Sequence, residues 1–279
     1  MIYIKVKEII KKIIYYFLCL ISLVYLLFPF VWLLLSSFKH PVQLFSRPPE
    51  AIPNPFVLSN YLKVFQDMSF LRSMFNSSIV AVFTTLLCLA LGTLGAYVFA
   101  RKRFRGRKTL LFMLLGSQML PFVTLLIPLY IVMINFGLVD TYLGLVLAYS
   151  TFTLPYLIFL LQSFFKSIPA DLEDQAMVDG CTQFQAVTKI ILPLSKPGLV
   201  AAGIFSFIGG WNHYMYATIL TEVQTQTFPL RLAQYIGEER VIYEMMYPAG
   251  IIGSLPVLIL VFIFQKHIVK GLTEGAVKY

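Results

Sequence analysis

Three histidines (His40, His213, His267) and three cysteines (Cys19, Cys88, Cys181) supply all the imidazole and thiol of this chain. They are scattered, and their spacing fits neither a metal site nor a disulfide framework. No Ser/His/Asp arrangement is legible from so few histidines, and no His-Glu-x-x-His segment is present. Gly106-Arg107-Lys108-Thr109 lacks the first glycine and the spacing of a phosphate-binding loop. The chain is therefore expected to have no catalytic residues, to bind no metal or cofactor, and not to be its own ATPase. Two other sets of residues carry recognisable chemistry. The first is a polar segment holding Glu173, Asp174, Ala176, Asp179, Gly180 and Phe184, whose polarity and central turn suit contact with another protein. The second is Gln118, Trp211, Asn212 and Tyr214, set at depth inside apolar runs. Amides hydrogen-bond to hydroxyls and aromatic faces stack on pyranose rings, so this set could line a sugar path; packing and interhelical hydrogen bonds are the alternative.

The elements that must position these residues are membrane helices. Of the 279 residues, 58% are hydrophobic and 13% charged, about half the charge of a soluble domain. A helix needs about 20 mostly apolar residues to cross the hydrocarbon. Six segments qualify, at about 13–37, 76–100, 109–134, 142–165, 198–220 and 247–268. None alternates as a membrane β-barrel strand does. The first run is too long for a cleaved signal peptide and no small-residue cleavage site follows it, so it is read as a retained span. Six of the 22 basic residues crowd between Arg101 and Lys108. These, the N-terminal lysines and Lys266, Lys270 and Lys278 fall on one side of the six spans, which the positive-inside rule makes cytoplasmic. The expectation is one all-α membrane domain over 1–279, with both termini cytoplasmic. The net charge of +9 is then a topology signal rather than a sign of nucleic acid.

The inner connection 166–197 is placed by alternation alone. Pro169 suits a first helical position, and acids follow where the helix dipole favours them. Asp179-Gly180 breaks the run, glycine supplying the left-handed geometry that ends helices. Thr182 and Gln185 fit a capping box, and Phe184, Val187 and Ile191 mark the apolar face of a second helix. Pro193 and Pro197 disrupt or end it. Two short helices with a tight bend form a knob rigid enough to transmit a push. Between the spans, Gly92 and Ala96, and Gly198 and Ala202, recur four apart, which suits close helix contact. Pro121 and Pro128 are expected to kink or unwind the third span behind Gln118. No ionisable side chain but His213 lies in the centres of spans two to six, so a proton- or sodium-driven carrier is disfavoured.

The segment from Glu173 to Gly180, with Leu192-Pro193-Leu194 and Pro197 downstream, resembles the cytoplasmic EAA loop of permease subunits in bacterial ATP-binding-cassette importers. Glu173, Ala176, Asp179, Gly180, Leu192, Pro193, Leu194 and Pro197 match that pattern; Asp174 replaces the usual second glutamate and Gln175 an alanine. The tail Gly271-Leu272-Thr273-Glu274-Gly275-Ala276-Val277-Lys278 is similar to the carbohydrate-uptake branch, in particular its shorter, maltose-type subunit. Phe207, Gly210, Trp211 and Asn212 resemble that branch's fifth-span signature. The resemblance runs from about residue 70 to the end.

It implies a non-catalytic permease subunit in the inner membrane of a bacterium, importing an oligosaccharide or glycoside. It also implies a second homologous permease chain, two ATPase subunits that bind ATP and magnesium, and an extracytoplasmic solute-binding protein. Glu173, Asp174, Ala176, Asp179, Gly180 and Phe184 would then form the ATPase-docking surface. The alternatives are an importer for a non-sugar solute, a passive channel or scaffold, and a membrane enzyme acting on lipid. The last needs convergent catalytic residues that the sequence does not offer.

Overall fold

The computed structural model describes residues 2–237 and 241–274. Among them only one isolated antiparallel bridge, Ile236 to Val241, interrupts an all-helical chain. The first helices are α1 (Ile2–Ser37), α2 (Pro41–Leu44), α3 (Ser59–Gln66), α4 (Met68–Arg101), α5 (Arg107–Ser117), α6 (Phe122–Asn135) and α7 (Tyr142–Ser167). There follow α8 (Asp171–Val178), α9 (Gln183–Ala186), a π-helical turn (Val187–Ile191) and α10 (Leu192–Leu194). The chain ends with α11 (Lys196–Asn212), α12 (Met215–Leu220), α13 (Phe228–Gln234) and α14 (Tyr243–Glu274).

Four helices are by themselves long and apolar enough to cross a membrane: Glu8–Ser37, Met68–Arg101, Tyr142–Ser167 and Tyr243–His267. They contain the predicted segments 13–37, 76–100 and 142–165 and nearly all of 247–268. The predicted third segment, 109–134, is two helices bent by 99° at 118–121. Pro121 stands at the start of α6, where a residue without an N–H leaves no intrahelical bond unmade. The predicted fifth segment, 198–220, is not one helix: α11 stops at Asn212, His213 is extended, and α12 begins at Met215. The Tyr149 hydroxyl donates to the freed His213 carbonyl at 3.2 Å, which satisfies a group that the broken ladder would otherwise leave unpaired. At its other end α11 meets the segment Gln183–Leu194 at an angle of 76°.

Two compact units divide the chain. In the first, 1–68 with 234–253, the most apolar stretch of α1 buries none of its residues. Order is concentrated past its end. Asn60 donates through Nδ2 to the carbonyls of Ser37 and Lys39 at 3.1 and 2.9 Å. Phe38 sits against Tyr61 with ring centroids 5.0 Å apart. The Lys39 ammonium lies 4.4 Å from the centre of the Trp32 ring, an attraction that strengthens with desolvation.

The second unit, 69–233 with 254–279, has its core around α7. One cluster joins Val80, Met133, Leu145, Tyr149, Phe152, Tyr216 and Leu220; the other joins Cys88, Tyr97, Leu157, Leu161, Phe165, Ile191 and Ala202. The predicted small-residue pairs do mark close approach. A Cβ on Gly92 would stand 2.3 Å from Leu157 Cδ2, and one on Gly198 would stand 2.5 Å from Phe164 Cγ. Ala96 and Ala202, one turn on in each helix, are buried.

Candidate functional site

The polar segment folds as a capped pair of short helices. Helix α8 starts at Asp171, with Ala170 capping it and Pro169 just ahead of it, so proline precedes the first helical residue instead of occupying it. Gly180 has φ +90°. Its N–H bonds the Met177 carbonyl at 3.1 Å and the Cys181 N–H bonds the Ala176 carbonyl at 3.0 Å, the paired closure of a glycine-terminated helix. Thr182 and Gln185 form the expected reciprocal capping box at the head of α9. The second helix then widens into the π turn, where residues five apart share a face. Ala186 and Ile191 are buried in consequence, Val187 packs beside them, and Phe184 stands out at 73% exposure. The expected common face of Phe184, Val187 and Ile191 is therefore split.

Burial also divides the acidic residues. Glu173 is only 7% exposed and Ala176 only 4%, so neither offers its side chain to a partner. Asp174, Asp179 and Gly180 face outward with Phe184. The Glu173 carboxylate accepts the hydroxyl proton of Tyr97 and lies 3.4 Å from Arg101 Nε. That last contact is one of charge, because Arg101 Nε lacks an aligned hydrogen bond. Arg101 Nη2 donates to the Ile168 carbonyl at 2.8 Å, and Gln183 Nε2 donates to Tyr97 Oη at 3.0 Å. Residues from the end of α4, the end of α7, α8 and α9 thus converge on one carboxylate. Tyr97 and Arg101 were not singled out from sequence. Arg101 counted there as one topology charge among six, and Tyr97 as one aromatic in an apolar run.

The path candidates separate in the same way. Trp211 is 1% exposed, stacked between Phe207 and Phe228 at 5.8 and 6.0 Å. It belongs to the core and does not line a passage. Gln118, Asn212 and Tyr214 are exposed. Gln118 caps α5 and donates to the Phe152 carbonyl at 3.1 Å. Phe122, just past the break, lies 4.0 Å from the Phe152 ring and 5.8 Å from His213. His213 in turn lies 4.6 Å from Tyr149 and 5.2 Å from Tyr216. Both helix breaks therefore meet at one aromatic cluster, with amide groups on its accessible side. Phe122 and Tyr216 had no sequence signal beyond their neighbourhood to Pro121 and Asn212, and Tyr149 and Phe152, on α7, had none at all.

A third constellation fixes the segment after α12. Asp140, at φ +54°, accepts from the N–H groups of Glu222 and Thr225 at 3.1 Å each and from Thr225 Oγ1 at 2.7 Å. Asn76 Nδ2 donates to the carbonyls of Gln224 and Gln226, both at 2.9 Å, and Ser77 Oγ accepts from the Phe228 N–H at 2.7 Å. Burial works against the charged form of Asp140. The hydrogen bonds from Thr225, Glu222 and Gln224 outweigh it and hold the carboxyl below its ordinary value.

Apolar helices broken around a polar and aromatic cluster are a feature of membrane transport components. Residues 89–274 match the family described as binding-protein-dependent transport system inner membrane component, and the chain belongs to that family. It is 35% identical over 253 residues to the sulfoquinovosyl glycerol transport system permease protein of Agrobacterium fabrum, covering 90% of this chain and 89% of that one. It is 37% identical over 261 residues to the trehalose transport system permease protein of Mycobacterium tuberculosis, covering 91% and 93%. Among solved structures it is similar to a chain of a bacterial ABC transporter involved in the import of the acidic polysaccharide alginate. There the TM-score is 0.77 at 25% identity, covering 92% of this chain and 96% of that one. The homologues are carbohydrate importer permeases, which are non-catalytic membrane subunits.

Proposed function

We propose that this chain is one permease subunit of an ATP-driven importer for an oligosaccharide or glycoside in a bacterial cytoplasmic membrane. In this reading the two bent pairs count as spans, six in all, with both termini and the 166–197 loop on the cytoplasmic side. A second permease chain and two ATPase subunits complete the transporter; the ATPases bind the ATP and magnesium. An extracytoplasmic binding protein delivers the solute. The relatives named for trehalose and sulfoquinovosyl glycerol support a carbohydrate cargo. So do the exposed Gln118, Asn212 and Tyr214 and the Phe122 ring at the two helix breaks, which offer amides and ring faces to a sugar.

The observation that carries the coupling role is the two-sided character of the α8–α9 knob. Its outer side presents Asp174, Asp179 and Phe184 to an ATPase groove. Its inner side is fastened twice, through Glu173 and Gln183 to the end of α4, and through the continuous helical path 183–194 to α11. A displacement imposed on the knob therefore reaches α4 and α11 together, and α11 ends at the His213 break. Glu173 and Ala176 serve this surface by holding it.

Phe184→Ala in the tagged full chain tests the docking reading. At 73% exposure the truncation should change stability by no more than about 0.5 kcal/mol. Co-purification of the ATPase subunit and sugar-stimulated hydrolysis should both fall. Full retention of both would remove Phe184 from the docking surface. Recovery of the chain with no ATPase and no second permease, even in wild-type form, would end the importer reading itself.

A further inference from the structure

The connection between α4 and α5 concentrates positive charge. Six of the eight residues 101–108 are Arg or Lys. Arg101 is engaged by Glu173 and the Ile168 carbonyl, and Arg107 Nη1 reaches the Lys102 carbonyl at 3.4 Å. Lys102, Arg103, Arg105 and Lys108 are exposed, and no carboxylate among the described residues pairs with them. Unpaired like charges so close together repel one another. A multivalent anion or an anionic surface meeting such a cluster would relieve that repulsion.

The backbone shapes these charges into a receptacle. Gly106, at φ +84° with nothing within 4 Å of the place a Cβ would take, reverses the chain ahead of α5. Arg103, Phe104, Arg107, Lys108 and Thr109 then line one concavity of about 450 Å³. The surroundings are apolar. Val98 on the preceding helix is 40% exposed, Phe112 and Met113 on the following one 72% and 65%, and the Phe104 ring lies 6.0 Å from Phe99. A cationic hollow at the ends of two lipid-facing helices matches a molecule that carries a phosphate at one end and hydrocarbon at the other. Juxtamembrane basic clusters draw anionic lipid in this way. A soluble protein docked on the charges alone would leave Phe112 and Met113 without a counterpart.

We propose that the Arg103–Lys108 hollow binds the phosphate of an anionic phospholipid, giving this subunit a specific headgroup site. The test uses the full chain in phosphatidylcholine nanodiscs, with phosphatidylglycerol added stepwise and bound lipid counted by native mass spectrometry. Phosphatidylglycerol should be preferred about tenfold or more, since each basic residue near such a surface favours anionic lipid. Arg103→Gln with Lys108→Gln should abolish the preference. Lys11→Gln with Lys12→Gln, which removes the same charge from exposed positions on α1, should leave it. Added salt should erode the wild-type preference, a readout that does not depend on the variant folding.

The proposal is overturned if the wild type shows no preference, or one that salt does not weaken. It is overturned if the hollow variant keeps the preference, or if both variants lose it equally, which would mean general surface charge. Soluble glycerol phosphate that competes as well as the lipid would make the occupant a free phosphate. A hollow variant that keeps lipid selectivity but sheds the ATPase subunit would make it a protein contact.

Discussion

Glu173→Gln isolates the charge of the anchor while keeping its shape. Arg101, 12% exposed, faces that carboxylate at 3.4 Å. Removing one partner of a buried pair costs about 3–5 kcal/mol because the other charge is left uncompensated. Arg101 keeps its bond to the Ile168 carbonyl and is the last residue of α4, which reduces that share to about 2 kcal/mol. The glutamine carbonyl still accepts from Tyr97, so that hydrogen bond loses only its charge assistance, about 1 kcal/mol. The sum of about 3 kcal/mol raises the population with α8 detached from α4 by roughly 150-fold. Amide hydrogen exchange across 171–191 reads that population directly, provided global unfolding is slower. Exchange there should quicken in Glu173→Gln, while the exposed Asp174→Asn leaves it unchanged. Arg101→Gln should add little on top of Glu173→Gln. The reasoning is refuted if Glu173→Gln loses uptake while exchange over 171–191 stays at the wild-type rate. Glu173 would then act on the partner itself and not through α4.

A Cβ on Gly180 would meet no atom within 4 Å, so Gly180→Val acts chiefly through the φ of +90°. It should cost about 1–2 kcal/mol, uncouple hydrolysis from uptake and leave membrane insertion intact, with Gly180→Asn milder; unchanged uptake in the valine variant would count against docking. Gly198→Ala drives a Cβ to 2.5 Å from the Phe164 ring, an overpacking of about 1–3 kcal/mol that a thermal-stability scan in detergent should show and that Phe164→Leu should relieve. The Asp140 carboxyl is held below its ordinary value, so its stabilisation is complete above the ordinary carboxylate pKa and disappears as pH falls through the lowered folded one. Asp140→Asn should therefore flatten the acid limb of the stability curve and leave its neutral-to-basic shape unchanged.

What the sequence made legible was local. The Gly180 turn, the Thr182–Gln185 capping box and the bend behind Gln118 each follow from residues within one turn of one another, and the structure has all three. The small-residue pairs were legible because close approach tolerates only Gly or Ala at 92, 96, 198 and 202. The fate of Glu173 was not, since its partners Tyr97 and Arg101 lie more than 70 residues earlier and neither stands out from its run. Trp211 looked like a sugar-stacking ring because tryptophan at depth serves both packing and recognition, and only Phe228 across the fold decides which. The break at His213 carries no proline or glycine at the break itself; it depends on the Tyr149 hydroxyl meeting a carbonyl from a distant helix. The π turn shifted Phe184 off its expected face for a similar reason, since burial of Ala186 and Ile191 together outranks the ordinary helical period.

The clamp that Asp140, Asn76 and Ser77 place on 222–228 has a thermodynamic consequence for whatever meets Glu222, Val223 and Gln224. Ordering a backbone costs about 1–2 kcal/mol for each residue, and here folding has already frozen that freedom. Val223, 74% exposed, is held outward by a frame that does not have to rearrange. An encounter at this rim should behave like one with a pre-cut key. Its association would show a small heat-capacity change for its area, since no chain orders with it. Its lifetime would be governed by the few side chains at the tip, and loosening any one clamp residue would weaken the contact without altering a single atom of the contact itself.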